Sequence, residues 1–133
     1  MEKEFIPYEQ ALALKELGFD EPCFKCKVIG QEHLDYTPTD YDDFPEQKEK
    51  EVLIPTFSQA FRWFREKYKL YCCIERVEYI NSDEKGFQFS IFEKYSNVGE
   101  ELKTYEEAEL ECLNKIIEIV KEQKVNQQNN QEK

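Results

Sequence analysis

The chain has 133 residues, of which 40% are apolar, 14% aromatic and 35% charged. This length fits one domain whose core needs neither a disulfide nor a metal ion. Eighteen basic against 29 acidic residues give a net charge of −11, which argues against a general binder of nucleic-acid backbones. The same charge predicts attraction to a basic partner surface.

The first residues, MEKEFIPYEQ, contain no apolar run of signal-peptide length. No stretch of the chain approaches the roughly 20 apolar residues of a membrane span. The five cysteines are an odd number, and without a secretion signal they are expected to be reduced thiols. We therefore expect a cytoplasmic protein that has no contact with a membrane.

A short helix is predicted over residues 7–19, PYEQALALKELGF. Pro7 suits the first turn, and Gly18 suits the left-handed position just after the last turn. Phe19 is expected to fold back onto Leu14. The predicted buried stripe consists of Ala11, Leu14 and Leu17.

Residues 23–29, CFKCKVI, are predicted to form a strand that includes two cysteines two residues apart. Residues three apart in a strand point to opposite faces, so Cys23 and Cys26 are not expected to share a metal ion. No helix start follows Cys26 to lower a thiol pKa, which disfavours a thioredoxin-like centre. We expect Cys26 to lie in the core beside Phe24, and Cys23 on a more polar face.

Residues 31–51 are predicted to form an acidic loop, with eight acidic and two basic residues and an optional short strand near 34–36. His33, the only histidine, is expected to be an exposed loop residue. The loop mixes carboxylates with aromatic rings, a combination that can dock on a basic surface with an apolar lining. Its predicted partner-binding residues are Tyr36, Tyr41, Asp42, Asp43 and Phe44.

A second helix is predicted over residues 57–68, capped by Thr56 with Gln59. Its apolar face is Phe57, Ala60, Phe61, Phe64 and Tyr68. Arg62 and Arg65 lie opposite, with Trp63 at the border, and this trio forms the predicted binding site for an anionic, nucleotide-like ligand. The alternative is a solvated helix face that pairs with acidic neighbours.

Strands are predicted at 70–80 and 87–95, joined by a turn, followed by a helix that Thr104 caps with Glu107. Its broad apolar face predicts packing on a sheet. We therefore predict an α+β fold with the order α-β-(β)-α-β-β-α and a small, mostly antiparallel sheet. Residues 1–124 are predicted to form a single domain, and residues 125–133 a disordered polar tail.

Three segments, FIPYEQALALKELGFDEPC, PTFSQAFRWFREKYKL and YEEAELECLNKIIEIVK, resemble a group of small proteins encoded by phages and prophages of Bacteroidetes. They cover about half of the chain in the same order. The resemblance implies a viral or mobile-element accessory protein in a bacterial cytoplasm. It implies no activity, cofactor or binding residue.

The functional hypothesis is a non-enzymatic accessory protein that binds a host or phage macromolecule. The alternative is a small-ligand protein or an enzyme with a pocket near helix 57–68. The sequence contains no recognisable catalytic set, cofactor site or metal site, and nucleic acid is disfavoured as a partner. Its oligomeric state and the identity of its partner stay open.

Overall fold

The computed structural model describes residues 4–30, 50–78, 85–92, 96–98 and 101–131. Within them, three helices and five strands follow the order α-β-β-α-β-β-β-α. The predicted α+β class and the order of elements are confirmed, with one additional short strand before the last helix. The chain divides into two compact units, Met1–Ala60 and Phe61–Lys133, where the sequence predicted one domain over residues 1–124.

Helix α1 spans Tyr8–Glu16 in the first unit, and its predicted stripe of Ala11, Leu14 and Leu17 is buried. Gly18 has a φ of 98°, which confirms the predicted left-handed position. The amide of Phe19 donates to the carbonyl of Leu14 at 2.9 Å, and that of Gly18 donates to Lys15 at 3.0 Å. These two bonds are the Schellman arrangement that ends a helix.

Strands β1, Lys25–Val28, and β2, Glu51–Ile54, form an antiparallel pair in which Lys25 lies opposite Ile54 and Val28 opposite Glu51. Helix α1 packs on β2. The sequence analysis assigned Glu51 to the acidic loop and missed β2, because four residues between a polar segment and a capped helix form too short an apolar run. The optional strand near 34–36 lies outside the described residues.

Helix α2 spans Phe57–Tyr68, and the amide of Gln59 donates to Thr56 Oγ1 at 3.1 Å, as predicted for the cap. The side chain of Gln59 does not complete a capping box; its Nε2 donates to the carbonyl of Pro22 at 2.8 Å. Trp63 is 6% exposed and belongs to the buried face, while Phe61 is half-buried. The border position predicted for Trp63 is therefore corrected.

The second unit contains a three-stranded antiparallel sheet with the order β3-β4-β5. Its strands are β3, Tyr71–Glu78, β4, Lys85–Phe92, and β5, Ser96–Val98. After β5, the chain returns to β4 at one point. There Phe87 and Leu102 form an isolated antiparallel bridge with two backbone hydrogen bonds of 2.8 Å. Lys69 lies between α2 and β3 and has a φ of 57°, a left-handed conformation that is uncommon for residues other than glycine.

Helix α3 spans Tyr105–Gln131 and begins at the predicted Thr104 cap, where the amide of Glu107 donates to Thr104 Oγ1 at 3.1 Å. It packs against β3 and β4 through a buried stripe of Ala108, Cys112, Leu113, Ile116, Ile117 and Val120. The helix continues through residues 125–131, which the sequence analysis predicted to be disordered. Extending an anchored helix adds one backbone hydrogen bond per residue, whereas starting a helix is costly. None of the described helices is long and apolar enough to span a bilayer.

Candidate functional site

The sheet of the second unit has one face against α3 and one open face. Residues directly opposite in an antiparallel pair share a face, so Tyr71 lies beside Phe92 and Cys73 beside Ser90. We call this open surface the outer face. It consists of Tyr71, Cys73, Glu75, Val77, Gln88, Ser90 and Phe92.

None of the seven side chains of the outer face is buried. Tyr71 is 50% and Phe92 45% exposed, so two large rings lie side by side in contact with solvent. Glu75 is exposed, and its carboxylate accepts a 3.8 Å hydrogen bond from the thiol of Cys73. The outer face contains no basic residue. It is an aromatic and weakly acidic surface on a regular scaffold.

The inner face of the same sheet carries a pair of thiols. Cys72 of β3 lies opposite the fully buried Ile91 and points toward α3. Cys112 of α3 is also fully buried, and each of the two thiols shifts the pKa of the other. Two cysteines from different elements therefore influence each other electrostatically, and both are free thiols.

The surroundings of this pair differ for its two sulfurs. The hydrogen bond from Cys112 and the charge of Arg65 lower the pKa of Cys72 below the ordinary cysteine value, against the opposing effects of burial and of Glu109. Donation to Cys72, together with burial, raises the pKa of Cys112. Cys72 is partly accessible, so the arrangement combines a partly accessible thiol of lowered pKa with a buried thiol of raised pKa.

Cys23 and Cys26 lie in the first unit near the buried carboxylate of Glu51, which is 7% exposed. Burial is the first cause that raises the pKa of each thiol to about 12, and the charge of Glu51 adds to it. Cys26 is fully buried, as predicted. Phe24 is 87% exposed and does not share the core with it, because β1 begins only at Lys25.

The late start of β1 also changes the geometry of the CFKC segment. Cys23 precedes the strand, and its thiol donates to the carbonyl of Glu21 at 3.3 Å. Strand alternation therefore does not fix the relative directions of the two thiols, although the predicted strand over 23–29 implied opposite faces. Even so, no group of three or more potential ligands in the described ranges is arranged to hold a metal ion. High thiol pKa values are also the reverse of what a nucleophilic centre requires.

The structure separates the residues of the predicted ligand site. Arg62 and Arg65 are exposed, whereas Trp63 is buried and its ring packs edge-on against Phe64 and Tyr68, with centroids 4.9 and 5.5 Å away. Two pockets formed by described residues, of about 550 and 210 Å³, are lined mainly by α3. Neither is lined by Arg62, Trp63 or Arg65.

The predicted partner-binding residues of the acidic loop are Tyr36, Tyr41, Asp42, Asp43 and Phe44. All five, together with His33, lie outside the described residues. Their role in binding stays a prediction. The outer face is therefore a surface that the loop hypothesis did not include.

Sequence reasoning missed both the outer face and the thiol pair. Strand alternation alone could have placed Tyr71, Cys73 and Glu75 on one face. It could not have placed Tyr71 beside Phe92, because that neighbour depends on the register of the hairpin. Cys112 lies on the apolar face of the last helix, for which the sequence predicted only packing on a sheet. Nothing local in the sequence indicates that it influences Cys72.

Comparisons with protein-family models, with curated proteins and with solved structures yield no match to this chain. A function for the protein therefore rests on its own residues and their geometry.

Proposed function

We propose that this protein is a non-enzymatic phage or prophage accessory protein of the bacterial cytoplasm, and that its outer face binds a host or phage protein with a basic surface. The observation that supports the proposal is the adjacent pair Tyr71 and Phe92, both about half exposed on an open sheet face. Aromatic side chains supply much of the binding energy at protein interfaces when a partner covers them.

Charge favours a basic partner over an acidic one. The chain has a net charge of −11, and Glu75 stands on the outer face without a basic neighbour on that face. A complementary partner would be steered toward the protein at low salt, and its basic groups would surround the rings. Binding is therefore expected to combine an apolar contact with a salt-dependent association rate.

Affinity capture with matched variants tests the proposal. The baits are the wild type, Tyr71→Ser/Phe92→Ser, and Val125→Ser, which removes an apolar side chain that is 54% exposed on α3. A basic protein retained by the wild type and the Val125 variant, but lost from the double variant, would support the outer face. Retention of the same proteins by all three baits, or of none, would contradict it.

A fourth bait tests the acidic loop. Tyr41→Ala/Phe44→Ala removes two rings of the predicted partner-binding segment and leaves the outer face intact. If this variant loses the partner while Tyr71→Ser/Phe92→Ser retains it, the loop and not the outer face carries the interaction. Loss in both variants would assign the partner to both surfaces.

The alternative of a nucleotide-like ligand stays a prediction. The exposed Arg62 and Arg65 are its remaining described contacts, since Trp63 is buried. A thermal-shift series against a nucleotide panel measures it directly, because a ligand at about 100 times its Kd adds about 2.7 kcal/mol to the free energy of unfolding. An unchanged melting temperature with every nucleotide would remove this alternative.

A further inference from the structure

We propose that two copies of this chain associate through β3, whose strands pair antiparallel and join the two sheets into one. Among the described residues, β3 lies at one end of its sheet and pairs with β4. The edge of β3 away from β4 therefore presents a row of backbone N–H and C=O groups to which another strand can bind. The proposal is independent of the binding role of the outer face, which stays open in such a dimer.

This edge lacks the features with which proteins usually prevent the addition of a strand. Native edge strands are short or bulged, or they carry lysine or proline. Strand β3 has eight residues without lysine, proline or glycine, and all eight pair with β4 in unbroken register. At the other end of the sheet, β5 has only three residues. The β3 edge is thus the one long enough to accept a further strand.

The side chains of β3 on the inner face are also incompletely covered. Phe89 and Ile91 of β4 are 6% and 0% exposed, whereas Ile74 and Cys72, which lie opposite them on β3, are only half-buried. A second copy beside β3 extends the sheet past these side chains and covers them. Burial of the apolar surface of Ile74 then favours association.

Twofold symmetry restricts the register of the two strands. In an antiparallel pair whose twofold axis is perpendicular to the sheet, one residue faces its own copy at the centre, and both outer faces stay on the same side. Two central residues, Ile74 and Glu75, leave only one of the eight residues of β3 without a partner. These are the two registers to compare.

Charge favours the register centred on Ile74. With Glu75 at the centre, two exposed carboxylates lie directly opposite each other, at a Cβ–Cβ distance of about 4.5–5.5 Å, which is destabilising. With Ile74 at the centre, Tyr71 of each copy faces Val77 of the other, and Ile74 faces Ile74. Charged side chains then face uncharged ones: Glu75 faces Cys73, and Arg76 faces Cys72.

The salt dependence of this dimer is the reverse of that expected for a basic partner. Seven paired residues give about six to eight hydrogen bonds between the copies. Each copy has a net charge of −11, so the two copies repel each other at long range, and salt screens this repulsion. Association of two copies is therefore expected to strengthen as the salt concentration rises.

Sedimentation equilibrium of the purified, full-length, reduced chain tests the proposal at increasing protein concentration and at low and high salt. We expect the mass to rise from that of one 16.0 kDa chain to twice that value, with a smaller dissociation constant at high salt. The mass of a single chain at every protein and salt concentration would overturn the proposal. No partner protein is present, so the result does not depend on the proposed binding function.

A charge swap tests the register. Tyr71→Lys/Val77→Lys places like charges opposite each other at both ends of the pair, and we expect the dissociation constant to rise at least about tenfold. Tyr71→Lys/Val77→Glu places opposite charges there and should restore the dimer. The control, Gln88→Lys/Ser90→Lys, adds two positive charges to the outer face on β4, away from the edge, and should keep wild-type association.

Three results would contradict the pairing. A dimer that Tyr71→Lys/Val77→Lys retains would place the contact on another surface. Equal loss in both variants of Tyr71 and Val77 would exclude the register centred on Ile74. Loss in the control would show that the edge of β3 is not the surface that the added charges disturb. The mass of the wild type does not depend on the folding of any variant.

Discussion

Tyr71 of β3 lies directly opposite Phe92 of β4, and each ring is about half exposed on the face of the sheet turned away from α3. A pair of large rings in this position contributes little to the stability of the fold, because neither ring is buried in the core. We expect Tyr71→Ser/Phe92→Ser to change the free energy of unfolding by only about 1 kcal/mol or less. Urea denaturation of the variant and the wild type measures this difference.

A core position on the opposite face provides the contrast to that prediction. Ile91 is fully buried against α3, so Ile91→Ala should cost about 2–5 kcal/mol in the same assay. If the exposed pair destabilised the protein as much as Ile91→Ala, the rings would be structural. The outer face would then lose its interpretation as a binding surface.

The cap of α2 should stabilise the protein measurably. Thr56 Oγ1 accepts the amide hydrogen of Gln59 at 3.1 Å, so Thr56→Ala leaves that amide without its helix-cap acceptor. We expect a loss of about 1 kcal/mol in the free energy of unfolding. The matched control is Ser58→Ala, which changes an exposed residue in the first turn of α2 and should be close to neutral. Equal effects of the two substitutions would contradict the assigned cap.

The high pKa values of Cys23 and Cys26 predict a loss of stability in alkaline solution. Both pKa values rise from an ordinary 9.0 to about 12, through burial and the charge of Glu51, with Glu21 acting on Cys23 as well. A raised pKa in the folded state contributes stability that is complete below pH 9 and is lost as the pH rises toward 12. The melting temperature should fall more steeply above pH 9 in the wild type than in Cys23→Ser/Cys26→Ala.

The control for the alkaline series is Cys73→Ser, which removes a half-exposed thiol of the other unit. The pKa of Cys73 is raised as well, but less, so its removal should flatten the slope less than Cys23→Ser/Cys26→Ala does. Parallel curves for the wild type and Cys23→Ser/Cys26→Ala would show that the two thiols titrate alike in the folded and unfolded chain. The proximity to Glu51 would then have no energetic effect.

Cys72 should be the first thiol to be alkylated at neutral pH. Its pKa is lowered by the hydrogen bond from Cys112 and by Arg65, whereas burial and Glu109 oppose the shift. Arg65→Gln should slow alkylation of Cys72, because the pKa of the thiol rises when the positive charge is lost. Arg65→Lys keeps the charge and should retain most of the rate.

Mass spectrometry of the iodoacetamide-treated protein gives the order of labelling for each cysteine. Labelling of Cys73 ahead of Cys72 in the native protein would contradict the assigned environment. So would an Arg65→Gln variant that reacts at the wild-type rate, since Arg65 is the cationic side chain that lowers the pKa of Cys72.

Local chemistry predicted the features that depend on a few neighbouring residues. Gly18 after α1 and the caps at Thr56 and Thr104 follow from backbone groups that a helix end cannot satisfy alone. The same reasoning failed where an element was very short, or where packing rather than local sequence determined which side chain is buried. Strand β2 has four residues, too few for a periodic pattern. Trp63 was placed at the border of the apolar face from its angular position on the helix, but its ring packs against Phe64 and Tyr68 and is buried.

Contacts between distant parts of the chain were beyond prediction from the sequence. The mutual influence of Cys72 and Cys112 needs both the side of β3 that faces α3 and the axial position of α3 along the sheet. The pairing of Tyr71 with Phe92 needs the hairpin register. The pairing of Tyr71 with Phe92 carries the proposed binding, so the functional site was less predictable than the fold.

The most direct test of the binding role is a titration of the purified captured partner with the wild type and with Tyr71→Ser/Phe92→Ser, at low and at physiological salt. We predict that the double variant binds at least about thirtyfold more weakly, equivalent to ~2 kcal/mol, and that salt weakens wild-type binding. Equal Kd values for the two proteins, unchanged by salt, would contradict the assignment of the outer face.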